Sequence, residues 1–129
     1  MISHPDFGST TTATEVAKVF AVNVRGKTVL ITGCSPNNIG FATAQAVATA
    51  DIGLLIISGR SSSKLDQVAN TLLAITPDLS LRKLIMDLSS QQSVKTAAEQ
   101  VNAYHENIDV LVNCAGVMAY PRYACQSIH

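Results

Sequence analysis

Residues 27–50 read KTVLITGCSPNNIGFATAQAVATA, and they divide into three parts. Thr28-Val29-Leu30-Ile31-Thr32 is a short β-branched, apolar run, the pattern of a buried strand. Gly33 interrupts it, and Cys34-Ser35-Pro36-Asn37-Asn38 has neither helical nor strand period. From Ile39-Gly40 to Ala50, Ala and small apolar residues suit a helix lying close to a sheet. A strand, a small-residue turn and a helix N-terminus together make an anion site. The first helical N–H groups lack intrahelical acceptors, and the helix dipole adds positive charge there. Glycine lets backbone approach a phosphate, so a side chain at Gly33 is expected to harm dinucleotide binding far more than folding. Gly33 and Gly40 are the only glycines of the turn, so G-x-G-x-x-G is incomplete and a Walker A loop is excluded.

Outward from this stretch, strand and helix alternate. Towards the N-terminus, Met1–Ser9 is a polar lead, and Thr12 with Glu15 forms a capping box. Val16, Val19 and Phe20 then give a short amphipathic helix ending near Asn23. That helix is either a docking arm or, on its narrow apolar stripe, a helix packed on its own domain. Towards the C-terminus, Leu54–Ser58 is a continuous apolar run, as in a strand buried on both faces. A helix follows with Ser63 and Asp66 as capping box and Leu65, Val68, Leu72 and Ile75 on one face. Thr76-Pro77-Asp78 stops it. Leu79–Met86 reads as a third strand ending at Asp87. Ser89 and Gln92 cap a helix with Val94, Ala97, Ala98 and Val101 as its stripe, and Asp109–Asn113 is a fourth strand.

This alternation implies βαβ units, and right-handed crossovers give the strand order 3-2-1-4. The expected fold is α/β, a Rossmann-type doubly wound parallel sheet truncated after its fourth strand. Residues 1–24 form the lead and short helix, 25–120 the dinucleotide-binding half-domain and 121–129 an irregular tail. The ligand site is expected at the carboxyl ends of strands one and four, where the order reverses. The turn from Gly33 to Gly40, the Ser58–Ser61 segment, Asp87-Leu88 and Asn113–Gly116 all end there.

Composition narrows the partners. The 129 residues carry nine basic and nine acidic side chains and no Trp, which disfavours nucleic acid and anionic membrane surfaces. No apolar run reaches the ~20 residues of a membrane span. The start lacks the pattern of a secretory signal, and its Asp6 and Glu15 without Arg disfavour a mitochondrial presequence. Three cysteines, Cys34, Cys114 and Cys125, have no metal-ligand spacing and fit a reducing, cytoplasmic compartment. His4, His105 and His129 lie in tails or at a helix end and read as solvated or structural.

TVLITGCSPNNIG, Asp87-Leu88 and Asn113-Cys114-Ala115-Gly116 together resemble the short-chain dehydrogenase/reductase family, with Gly116-Val117-Met118-Ala119 nearest its retinol-dehydrogenase-like members. The resemblance spans roughly Lys27 to Tyr123. It implies that Gly33 and Gly40, with the turn residues Cys34, Ser35, Asn38 and Ile39, meet the cofactor phosphates. It implies that Asp87, beside Leu88, meets the adenine, and that Asn113, Ala115 and Gly116 border the adenine-side ribose. Two positions depart from the family pattern. Asn38 stands where the middle glycine is usual, in a turn one residue longer, and its tolerance of left-handed angles would preserve the turn. Cys114 replaces a common Asn and reads as a small buried residue.

Cofactor choice follows from charge. Asp51 precedes the second strand and cannot reach a ribose, whereas Arg60 and Ser61 stand at that strand's end with no carboxylate. Guanidinium and hydroxyl suit a 2′-phosphate, so NADP is preferred over NAD. The family's proton donor is a Tyr with a Lys four residues on. Tyr104, Tyr120 and Tyr123 are followed at that spacing by Ile108, Ala124 and Ser127, so no such pair exists here. Two readings of function result. One is the cofactor-binding part of an oxidoreductase whose longer form acts on a carbonyl or alcohol, this chain being inactive alone. The other is a non-catalytic nucleotide-binding or interaction module with a partner covering strand four.

Overall fold

The structure, a computed structural model, describes residues 5–117. The lead residues Met1–His4, Tyr120, Tyr123, Cys125, His129 and the tail 121–129 lie outside the described residues. Four parallel strands form one sheet in the order β3-β2-β1-β4: β1 Thr28–Thr32, β2 Leu54–Gly59, β3 Leu81–Ile85 and β4 Val110–Asn113. The expected order is therefore the observed one. β1 is central, pairing Leu30 with Ile56 on one side and with Leu111 on the other.

Helices α3 (Ile39–Ala48) and α4 (Ser62–Ile75) contribute to one core cluster, and α5 (Gln91–Asn102) to another. Alternation along the strands divides the side chains between them. Val29, Ile31, Leu55 and Ile57 pack with Ala44 and Ala48 of α3 and Leu65, Val68 and Leu72 of α4. Leu30, Leu54, Ile56 and Leu84 pack with Ala97 of α5. Both faces of β2 are covered, which is why Leu54–Ile57 reads as unbroken apolar sequence. Leu111 shares a face with Leu30 yet remains 57% exposed, because no described element covers the sheet beyond α5 at β4. The start of β4 is fixed reciprocally: the Thr28 N–H donates to Asp109 Oδ2 at 2.8 Å, and the Asp109 N–H to the Thr28 carbonyl at 3.0 Å.

Several boundaries move. The Thr12–Glu15 capping box is formed, but the helix it starts, α1 (Ala13–Val19), stops before Phe20, and a separate turn, α2 (Ala21–Val24), follows. α1 lies against α3. α4 is capped by Ser61, not Ser63, so Asp66 is freed to pair with Lys83. α5 is capped by Ser90, not Ser89. Seating Leu65, Val68 and Leu72 fixes that register in a run of serines where any hydroxyl could cap. Ile75, at the end of α4, is half exposed, and Val94 and Ala98 lie on the outer side of α5. β3 is shorter than Leu79–Met86. At its outer end Arg82 makes a bidentate bridge to Glu106 (2.6 and 2.8 Å) and stacks on Tyr104, 4.7 Å from the ring centroid. No described helix is long and apolar enough to cross a membrane.

Candidate functional site

At the carboxyl ends of the strands lies a cleft of about 420 Å³. Its first wall is the turn between β1 and α3. Gly33 adopts φ +73°, a left-handed angle that the turn requires. A Cβ there would lie 2.6 Å from the Ala115 Cα and 2.7 Å from its nitrogen, so it would strike protein backbone. The cost of a side chain at Gly33 therefore falls on the fold first, which revises the expectation from sequence. Gly40 is buried and does not line the cleft, because its missing Cβ makes room for the Gly33 carbonyl.

Asn38 closes this turn, though not by the left-handed geometry expected of it. Asn37 takes the positive φ (62°), while Asn38 is extended at φ −110° and ψ 179°. Its Oδ1 accepts the Phe41 N–H at 2.8 Å as the α3 N-cap, and the Ser35 N–H at 3.3 Å. Its Nδ2 donates to the Gly33 carbonyl at 2.7 Å and Ser35 Oγ at 3.0 Å. One amide thus replaces a glycine by cross-linking a longer turn. The N–H groups of Ile39 and Gly40 have no acceptor within the helix and keep the N-terminus able to receive an anion.

The other walls come from the remaining strand ends. β2 contributes Ser58 and Gly59, followed by Arg60, Ser61 and, one turn into α4, Lys64; β3 leads to Met86, Asp87 and Leu88; β4 leads to Cys114–Val117. Of the residues assigned from sequence, Gly33, Cys34, Ser35, Asn38, Arg60, Ser61, Asp87, Leu88, Ala115 and Gly116 are brought together here. Ile39, 79% exposed, Gly40 and Asn113 are not among the lining residues. Lys64 was not assigned from sequence. Its only signal was its place four residues after Arg60, which has meaning only once Ser61 is known to be the cap.

Local bonding sets the electrostatics. Asp87 Oδ1 accepts the Ser89 N–H at 2.9 Å and Ser89 Oγ–H at 2.7 Å. These bonds, with the nearby Arg60 charge, hold its carboxyl below the usual range. Ser61 Oγ accepts the Lys64 N–H as N-cap and lies 3.1 Å from Ser63 Oγ. Burial pushes the Cys34 thiol up to about 11, opposed by a backbone bond involving Ser58 and aided by neighbouring Cys114. Ser58 Oγ is the one buried side-chain oxygen or nitrogen among the described residues without a hydrogen-bond partner. Thr32 Oγ1 accepts the Ala115 N–H at 3.3 Å and so ties the fourth wall to the first. Asp51, on the Gly26 side of the sheet, pairs with Arg25 at 3.7 Å and does not line the cleft.

A parallel 3-2-1-4 sheet with a small-residue turn and a helix N-terminus at its reversal point has the architecture of the dinucleotide-binding class of fold. The sequence pattern of the family described as short chain dehydrogenase matches residues 27–127. This chain belongs to that family. An oxidoreductase of Fusarium equiseti is 41% identical over 115 residues, which cover 89% of this chain and 45% of that protein. Retinol dehydrogenase 13 of Homo sapiens is 30% identical over 103 residues, covering 80% of this chain and 30% of the relative. Among solved structures, L-sorbose reductase from Gluconobacter frateurii, complexed with NADPH and L-sorbose, superposes with a TM-score of 0.64 at 26% identity. That match covers 73% of this chain and 35% of the reductase. The chain thus spans less than half the length of these relatives.

Proposed function

We propose that this chain is the NADP-binding part of a short-chain oxidoreductase which, in a longer form, interconverts a carbonyl and an alcohol. The observation that carries the NADP reading is Arg60 at the end of β2, lining the cleft where no β2 carboxylate competes for the ribose. The turn from Gly33 to Gly40 receives the pyrophosphate on the free N–H groups of α3. Asp87 and Leu88 border the adenine, and Asn113, Ala115 and Gly116 the ribose beside it. A reduced nicotinamide supplies a hydride when bound; this chain's residues bind and orient. Residues 25–120 act as the binding unit, 1–24 as a packed lead and 121–129 as its tail. Unpaired Cys34 and Cys114 fit a reducing cytoplasmic setting.

Binding of NADPH and NADH by calorimetry tests this reading. NADPH is expected to bind more tightly, and Arg60→Ala to cost it roughly 1–3 kcal/mol while NADH is nearly unaffected. Equal affinities in the parent chain would remove the NADP assignment. The chain alone is expected to show no NADPH oxidation above the blank with any carbonyl. Without the Tyr–Lys pair an alkoxide lacks its proton donor, a loss of ~10²–10⁴ in rate. The exposure of Leu111 on β4 favours a second reading, a nucleotide-binding module whose fourth strand is covered by a partner. Measured turnover would exclude it.

A further inference from the structure

We infer that Cys34 and Cys114 form a redox pair: a peroxide oxidises Cys114, Cys34 resolves the product, and the disulfide locks the wall after β4 onto the turn between β1 and α3. The pair is separate from the dinucleotide reading and does not depend on it.

The first observation is placement. Both cysteines are free, and both line the cleft, Cys34 from the turn and Cys114 from the segment after β4. They share one core: Cys34 is part of the cluster beneath α3 and α4, and Cys114 packs against that cluster with Val110 and Val112. Cys34 folds back over its own strand, its Sγ–H donating to the Ile31 carbonyl at 3.6 Å. Ile31 is paired with Val112. Cys114, two residues past Val112, is on the same face of the sheet, and adjacent strands lie ~4.8 Å apart. Gly33, next to Cys34, meets Ala115, next to Cys114, backbone to backbone. Cys114 also acts electrostatically on Cys34, one of the reasons that thiol is pushed up.

The second observation is the contrast between the two thiols. Cys34 is buried and shifted to about 11, so peroxide does not reach it as a thiolate. Cys114 is only half-buried and is the point of entry. Its thiolate attacks one peroxide oxygen, the O–O bond breaks, and hydroxide leaves and takes up the proton the thiol had released. The product is a sulfenic acid and water. The Cys34 sulfur then attacks the Cys114 sulfur. The S–S bond forms, the S–O bond breaks, and the departing hydroxide takes the Cys34 proton as a second water. Two thiols thus lose two electrons, and one peroxide gains them. The second step is intramolecular, which offsets the small thiolate fraction of Cys34. The segment carrying Cys114 is tied to β1 by the long Ala115 N–H bond to Thr32 Oγ1, 3.3 Å, and has room to settle onto Cys34.

The test oxidises the full reduced chain with hydrogen peroxide and quenches it with catalase. Remaining thiols are alkylated under denaturing conditions and the peptides mapped by mass. The expected product is a Cys34–Cys114 disulfide within one chain, two hydrogen atoms lighter than the reduced pair and reversed by dithiothreitol. It closes a loop of about 80 residues, so the oxidised chain should melt about 5 °C or more above the reduced one. Cys125→Ser removes the third thiol of the sequence and should form the same bond. Cys34→Ala should instead accumulate a Cys114 sulfenic acid that dimedone captures; if that variant does not fold, the peptide map and melting shift of the parent decide. Cys114 carried to the sulfinic acid with Cys34 still reduced, a Cys114–Cys125 bond, or a bond between two chains overturns the pair. A Cys34–Cys114 bond that leaves the melting temperature unchanged or lowers it overturns the lock.

Discussion

Gly33 and Ala115 meet backbone to backbone, closely enough that a Cβ on Gly33 would lie 2.6 Å from the Ala115 Cα. The turn between β1 and α3 is therefore also the joint between β1 and the segment after β4. Gly33→Ala is expected to destabilise the fold by roughly 2–4 kcal/mol, from the left-handed backbone and the clash together. Chemical denaturation measures this. Because the clash is with backbone, adding Ala115→Gly should not rescue it. A Gly33→Ala protein as stable as the parent would show that the contact is easily relaxed.

Asn38 is expected to act as both cap and cross-link. Asn38→Ala should cost about 1–2 kcal/mol through loss of the α3 cap and the bond to the Gly33 carbonyl. Asn38→Asp keeps the acceptor for the Phe41 N–H but removes both donors. Its stability should fall between the two, while its carboxylate repels phosphate at the turn. Melting temperature and dinucleotide affinity, measured on the same samples, separate the effects. Identical behaviour of the Ala and Asp variants in both would refute the division of roles.

For Cys34 the expected result is protection. Its thiol is buried and shifted to about 11 from the usual 9.0. A raised folded pKa gives stability that is fully present below pH 9 and lost as pH rises towards 11. Native protein at pH 8 should leave Cys34 unalkylated by iodoacetamide while Cys114, partly exposed, reacts; peptide mass mapping reads both sites. Cys34→Ala should flatten the alkaline loss of stability. Labelling of Cys34 at the denatured rate would contradict its burial.

The Arg82–Glu106 bridge should appear on the acid side. The hydrogen bond from Arg82 holds the Glu106 carboxyl below its usual 4.5. A lowered folded pKa gives stability that is present above pH 4.5 and lost as pH falls through the folded value. Glu106→Gln is therefore expected to be less stable than the parent at pH 7 and to converge with it under acid. Parallel stability–pH curves for the two proteins would rule out a contribution from the bridge.

Much of the fold could be read in the sequence because β2 is buried on both faces and spells this out in Leu54–Ile57. The order of strands followed from chirality and from the single small-residue turn. Helix starts were less legible: Ser61-Ser62-Ser63 and Ser89-Ser90 each present several equivalent caps, and only the seating of distant Leu65 or Ala97 selects one. Asn38 illustrates a different limit. As a missing glycine it looked like a weakened turn, but its amide bonds to Gly33, Ser35 and Phe41 depend on a loop path that no local pattern encodes. Gly40 was read as a point of phosphate approach, and its missing side chain also accommodates a carbonyl of the same turn.

The reciprocal bonds between Thr28 and Asp109 join positions 81 residues apart. During synthesis, β1, α3 and β2 emerge and can associate while the start of β4 is still to be made. Closing so long a loop is among the slower steps of assembly. The wall formed by Cys114–Val117 is thus the last to arrive, and until it docks, Gly33 has no Ala115 to rest against. Any ligand that contacts that wall binds only the docked state, and stabilises it by an amount that grows with the logarithm of its concentration. A ligand held between that wall and the Gly33 turn would act on this chain as a late folding partner.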